Sequence, residues 1–309
     1  MQITNFQDIP KALSTWSARI SLKSEDEDFD VFCTGETEAE VQQSGELRHY
    51  LSHHNSFPLP MSTFAIAVGR WSVRTIDCGQ PRTRFIGPRS LVEKNFAAVT
   101  RYLACCLSAA EDLLGRYPLP RLDVVVVHRS FSGLGLASPH LLFLSPSLFA
   151  GDESLFIKIS HEVSHAWFGI MIGSLDWTEA WISEGFATFL EEDLHAETLR
   201  LQGDSLPEEV SVLRAVIKHE SLREEVGNTE QEMQLLQPME GKRDVCPHLL
   251  HLSIHRKGSQ DRWARICKKW LKSSCWDDTS SLSQGVFSSS FLDGKHRMQT
   301  EILLIAQGN

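Results

Sequence analysis

Tyrosine is sparse in this chain: 309 residues hold three, Tyr50, Tyr102 and Tyr117, all within its first 117 residues. Basic residues are outnumbered, 30 Lys and Arg against 40 Asp and Glu, for a net charge of −10. That balance argues against a nucleic-acid partner and mildly favours cationic ligands, although a solvated acidic surface is the simpler account of it. Long apolar runs are missing too. No stretch reaches the ~18 residues of a membrane helix, and the opening MQITNFQDIPKALSTWSARI has no apolar core of a signal peptide. The expectation is a soluble chain without a membrane partner. The seven Cys (33, 78, 105, 106, 246, 267 and 275) are odd in number and lack zinc-knuckle spacing. Reduced thiols in a cytoplasmic, or alternatively nuclear, protein are expected.

What is present is ordinary for a globular protein, 42% apolar and 23% charged residues, enough for a sizeable core. Residues 1–75 show short alternating runs, such as Ala18 to Leu22 and Phe64 to Val68, broken by an acidic patch at 25–30 and by Pro58 and Pro60. They read as a partial β domain. His49, His53 and His54 have irregular spacing in a polar stretch and read as solvated loop histidines rather than a metal cluster. Val92 to Leu114 has the apolar period of a helix, closed by Gly115 and Pro118. Leu122 to Val127 reads as a buried strand. A glycine-containing loop, residues 132–139, leads to a second strand, Leu141 to Leu144. No Lys-Ser/Thr follows that loop, so it is not a phosphate-binding loop.

The informative stretch is His161-Glu162-Val163-Ser164-His165, with Glu184 eighteen residues further on in Trp181-Ile182-Ser183-Glu184-Gly185. Imidazoles four apart share a helix face and reach one metal ion. Asp152 is a candidate N-cap for that helix, which is expected to run to about Gly169. A second helix, from about Thr178 to Leu199, presents Glu184. Two neutral imidazoles and one carboxylate make a three-ligand zinc site with an open fourth position, as catalytic zinc requires. His161, His165 and Glu184 are therefore the candidate metal ligands for one zinc ion. Glu162, too close to His161 to ligate comfortably, is the candidate general base, and hydrolysis of a peptide or amide bond is the leading chemistry. Glu191, seven residues after Glu184, either orients a ligand imidazole through its second ring nitrogen or belongs to a solvated acidic run with Glu192 and Asp193.

Residues 207–225 read as a charged amphipathic helix. From about residue 239 the character changes. Residues 240–309 hold 11 basic and 7 acidic residues, net +4, which leaves 19 basic and 33 acidic residues, net −14, over residues 1–239. Trp263, Trp270 and Trp276 lie among basic residues there, and a Ser-rich run follows from Ser280 to Ser290. A basic helix for a partner and a poorly ordered terminus are both open readings.

These residues resemble the M1 aminopeptidases, zinc peptidases with a thermolysin-like catalytic domain, in the branch containing aminopeptidase B and leukotriene hydrolase. The resemblance rests on residues 161–169 and 181–188, on Phe143-Leu144-Ser145-Pro146-Ser147-Leu148 and on Pro60-Met61-Ser62-Thr63-Phe64. It implies an α+β chain: a partial N-terminal β domain over residues 1–75, an incomplete, mainly helical catalytic domain over 76–238, and a divergent tail over 239–309. It also implies removal of single residues from peptide N-termini. Two departures stand against it. The family's amine-gripping Glu aligns with Ala137, and the family's oxyanion Tyr, downstream of the zinc Glu, has no counterpart. Losing one oxyanion donor costs on the order of 100- to 1000-fold in turnover. A shortened form is expected, either a weakened zinc aminopeptidase or a catalytically silent zinc-binding regulator.

Overall fold

In the computed structural model of the chain, residues 13–23, 29–60, 63–127, 133–151, 153–173, 181–204 and 297–303 are described. Leu13–Lys23 (β1) turns Trp16, Ala18, Ile20 and Leu22 inward, the period-two pattern of a strand with one face on a core. Asp30–Cys33 (β2) and Glu40–Ser44 (β3) follow, and then Leu47–Pro60 (β4), which pairs antiparallel with both β1 and β3. Ile66–Gly69 (β5) pairs antiparallel with β2 in a separate two-stranded sheet.

A five-stranded sheet comes next: Ser72–Ile76 (β6), Arg82–Gly87 (β7), Arg121–Val126 (β8), Gly135–Ser138 (β9) and Leu141–Leu144 (β10), in the order β6-β7-β8-β10-β9. The three inner strands are parallel and the two edges antiparallel. Parallel neighbours need a crossover, and Arg89–Leu114 (α1) makes the one from β7 to β8. It starts after Pro88, whose carbonyl accepts from the Leu91 and Val92 amides. Its buried side includes Val92, Val99, Leu103, Cys106 and Leu107. Gly115, at φ 96°, ends it, a conformation glycine adopts without the Cβ penalty. All six residues of β8 are buried, as suits a strand covered on both faces.

Two 3₁₀ turns, Pro146–Phe149 and Glu153–Phe156, lead into Ile157–Ser164 (α2). Trp181–Gln202 (α3) follows, and the last described strand, Arg297–Leu303 (β11), lies parallel to β1, giving the order β11-β1-β4-β3. One continuous core joins Val99 and Leu103 of α1, Val124 and Val126 of β8, Ile159 and Val163 of α2, and Phe186 and Leu190 of α3. No helix among the described residues is long and apolar enough to cross a membrane.

Three local expectations are corrected. The helix with both histidines ends at Ser164 rather than near Gly169. Beyond it Ala166, Trp167 and Phe168 are buried in succession, which one face of a straight helix cannot do. The Ala166 and Trp167 amides bond three residues back, and Gly169 turns the chain at φ 112°. Residues 135–138 are an edge strand, not part of a loop, because Pro139 and His140, the latter at φ 69°, close a two-residue hairpin onto β10. Finally, His49, His53 and His54 are not loop histidines but lie on β4. The strand's alternation makes His53 exposed and buries His54 completely, stacked on Trp16 with ring centroids 4.6 Å apart. The proposed cap Asp152, the helix over 207–225 and the Trp-rich basic stretch of the tail lie outside the described residues.

Candidate metal centre

His161 on α2 and His165, which caps its C-terminus, sit one turn apart and present their Nε2 atoms to each other at 3.1 Å. From α3, Glu184 brings Oε2 to 3.5 Å from His161 Nε2 and 3.6 Å from His165 Nε2. Among the described residues this is the one group of three or more potential ligands that converges on a single point. The separations can be tested against zinc. A tetrahedral ion with bonds of about 2.0–2.1 Å holds its ligand atoms roughly 3.3–3.4 Å apart, close to all three distances.

The other ring nitrogens agree with that orientation. His165 Nδ1 is 3.0 Å from the Phe168 carbonyl, which can only accept, so Nδ1 carries the proton and Nε2 the lone pair. The bond exists because α2 stops at Ser164 and folds Phe168 back. Gly169 is required there, since a Cβ would meet Ser183 Oγ at 2.3 Å and His165 Nδ1 at 3.3 Å. His161 Nδ1 lies 2.9 Å from Glu191 Oε2, a close ionic contact although not a well-aligned hydrogen bond. Two lone pairs facing each other beside a carboxylate repel unless a cation lies between them, so the donor set fits zinc.

Without metal, a proton can supply that positive charge. Burial alone would lower the basicity of His161, yet Glu184 and Glu191 lift it to about 9. Against burial, which would raise it, His161 and His165 hold the Glu184 carboxyl far below the ordinary range.

Glu162, next to His161 on α2, lies against Gly135 of β9. It is 7% exposed, and its Oε2 has no hydrogen-bond partner. Burial pushes its carboxyl up, opposed by the two histidines, a shift in the direction that suits a carboxylate acting as a proton acceptor. Space for it comes from Gly135, where a Cβ would lie 2.3 Å from Glu162 Oε1. Sequence reasoning placed Gly135 only in a loop, and the packing of β9 on α2 is what explains it.

Glu191 is 6% exposed, which removes the solvated-run reading for this residue. Lys158, unremarked in the sequence, reaches both its oxygens at 3.0 and 2.9 Å. Ala137 is half-buried on β9. The three tyrosines are elsewhere: Tyr102 Oη is 2.8 Å from Ser160 Oγ and 2.6 Å from His195 Nδ1, Tyr50 donates to the Phe29 carbonyl, and Tyr117 packs against Trp167.

Comparison with known proteins adds the following. Residues 100–245 match the peptidase family M1 domain. The chain is similar to human aminopeptidase O, 34% identical over 279 residues, covering 76% of this chain and 34% of that protein. Mouse aminopeptidase O is 35% identical over 279 residues, 75% of this chain and 33% of the relative. The chain thus spans about a third of the length of these relatives. The structure of native yeast LTA4 hydrolase superposes with a TM-score of 0.50 at 22% identity, over 60% of this chain and 28% of that one.

Proposed function

Since the chain carries a peptidase family M1 domain over residues 100–245, we propose that it is a zinc-dependent aminopeptidase, cleaving residues from peptide N-termini. The observation that carries this is the convergence of His161 Nε2, His165 Nε2 and Glu184 Oε2 at separations of 3.1–3.6 Å. These three residues hold one zinc ion. Bound there, the ion would polarise the scissile carbonyl and acidify water. Glu162 is the general base: its raised affinity for a proton suits it to take one from water and hand it to the leaving amine. Dry surroundings strengthen that exchange by keeping bulk water from competing for Oε2.

Peptides are accordingly the proposed substrates. The division into a partial β domain, a thermolysin-like catalytic domain and a tail belongs to the same reading; strands β1 to β5 before residue 75 and helices α1 to α3 after it support the first two parts. A cytoplasmic location, with the nucleus as alternative, is supported by free thiols at Cys33, Cys78, Cys105 and Cys106.

The test is one purified sample on which zinc content and turnover of aminoacyl-coumarins and short peptides are measured, with Glu162→Ala alongside. Stoichiometric zinc and turnover lost in Glu162→Ala are expected. Turnover that Glu162→Ala leaves unchanged would remove the proposed catalysis.

A second reading, a zinc-binding regulator without turnover, is favoured by the tyrosines. All three are buried and face other partners, so none of them is offered to an oxyanion at the metal centre. Stoichiometric zinc with no turnover would select this reading.

A further inference from the structure

We infer that Lys158 is a positioning residue for the metal centre, holding Glu191 in place so that Glu191 orients the His161 ring. The inference rests on the zinc reading above and extends it beyond the three ligands and the base.

Lys158 precedes His161 by three residues on α2 and so shares its face. Its Nζ contacts both carboxylate oxygens of Glu191, at 3.0 and 2.9 Å. Glu191 in turn stands on α3 seven residues after Glu184, two turns along nearly the same face. One of the oxygens held by Lys158, Oε2, is also the atom 2.9 Å from His161 Nδ1. The three groups form a chain, Lys158 to Glu191 to His161, that runs from α2 to α3 and back.

Position is what this chain supplies. A carboxylate on a single side-chain tether can rotate, and Oε2 and Oε1 can exchange or leave the imidazole. Two contacts from Lys158 pin both oxygens, so the plane of the Glu191 carboxylate is set before any metal arrives. With Oε2 fixed beside Nδ1, the His161 ring is held with Nε2 towards His165 and Glu184. Lys158 also balances a carboxylate that is almost fully buried, while its own side chain is about one-third exposed.

Partners of this kind, one step removed from the metal, change affinity by roughly 10- to 100-fold when removed. The experiment compares the unsubstituted chain with Lys158→Met, Lys158→Arg, Glu191→Gln and Lys158→Met/Glu191→Gln. Zinc affinity is measured by competition with a chromogenic chelator, the visible spectrum of the cobalt-loaded site is recorded, and melting of the metal-free chains is followed in parallel. Lys158→Met is expected to weaken zinc binding by roughly 10-fold or more, to alter the cobalt spectrum, and to be restored in part by Lys158→Arg. In the Glu191→Gln background Lys158→Met should add nothing, because it acts through Glu191.

Zinc bound equally tightly by Lys158→Met and the unsubstituted chain would overturn the inference and leave the metal site intact. The same loss in both backgrounds would overturn it as well, by showing that Lys158 acts on stability generally. An unsubstituted chain that takes up no zinc would instead remove the zinc reading, and the inference with it.

Discussion

Gly135 and Glu162 show how much of this site depends on single atoms. A methyl group at residue 135 would have to occupy the volume of the Glu162 carboxylate, with its Cβ 2.3 Å from Oε1 and 2.5 Å from Cδ. Gly135→Ala should therefore displace the base while leaving His161, His165 and Glu184 in place. Because misplacement of a reacting group by about 1 Å costs on the order of 100-fold, kcat should drop by about that factor with zinc content unchanged, read by metal analysis and peptide turnover. Glu162 itself was legible as a base from its place beside His161, since a contiguous motif on a helix has its faces set by the 3.6-residue period. Gly135 was not, because nothing in its own neighbourhood announces that α2 will press against it.

At the scale of elements, the site is a joint between α2 and α3. Two groups that titrate link them in the metal-free chain. His161, raised from 6.5 to about 9, contributes stability that is complete below about pH 6.5 and is lost as pH rises through about 9. Glu184, lowered from 4.5, contributes stability present above that value and lost as pH falls. The chelated chain should thus gain most from this pair between pH 4.5 and 6.5, and its Tm should decline from pH 6.5 to 9 more steeply than that of His161→Gln. Zinc reverses the trend, because metal competes with protons for the imidazoles. At 100 times its Kd zinc should add about 2.7 kcal/mol, and the Tm increment over chelated protein should be larger at pH 8 than at pH 6. The helix boundaries that make this joint were partly legible. The apolar period of a helix, with Gly115 closing α1, places α1 and α3 well, but the early end of α2 follows from burying Ala166, Trp167 and Phe168 together, a demand of the core and not of local propensity.

Across the whole molecule, the paired charges nearest the centre hold the sheets to one another. Asp123 on β8 accepts from Arg84 Nε and Nη2, both at 2.7 Å, and from Arg121, while Arg121 Nη2 donates to the carbonyls of Cys33 and Gly35 at 3.0 and 2.7 Å. Strand β2, ending at Cys33, is thereby tied to the five-stranded sheet. Asp123→Asn leaves two buried guanidinium groups sharing a neutral partner, and breaking such a pair typically costs 3–5 kcal/mol, here expected as about 3–5 kcal/mol less unfolding free energy in urea. Arg84 also meets Glu38 at 2.9 Å, which places the result towards the lower end. None of this was visible as a pattern, since Asp123 sits in an otherwise apolar run where a charge has no local explanation.

Read alone, the chain determined what short-range physics governs: α1, β8 and β10 from their periodicity, and the common helix face of His161 and His165 from their spacing of four. Glu184, on a second expected helix, was legible as the third ligand, and the resemblance to a family implied the same set. Only the tertiary structure decided that Glu191 is buried against His161, that Lys158 holds it, that Gly135 makes room for Glu162, and that His54 is stacked in a core. The reason is physical. Backbone sterics and the period of apolar residues act within a few positions, whereas a side chain's partner across two elements is set by how those elements pack, and the two partners can be dozens of residues apart.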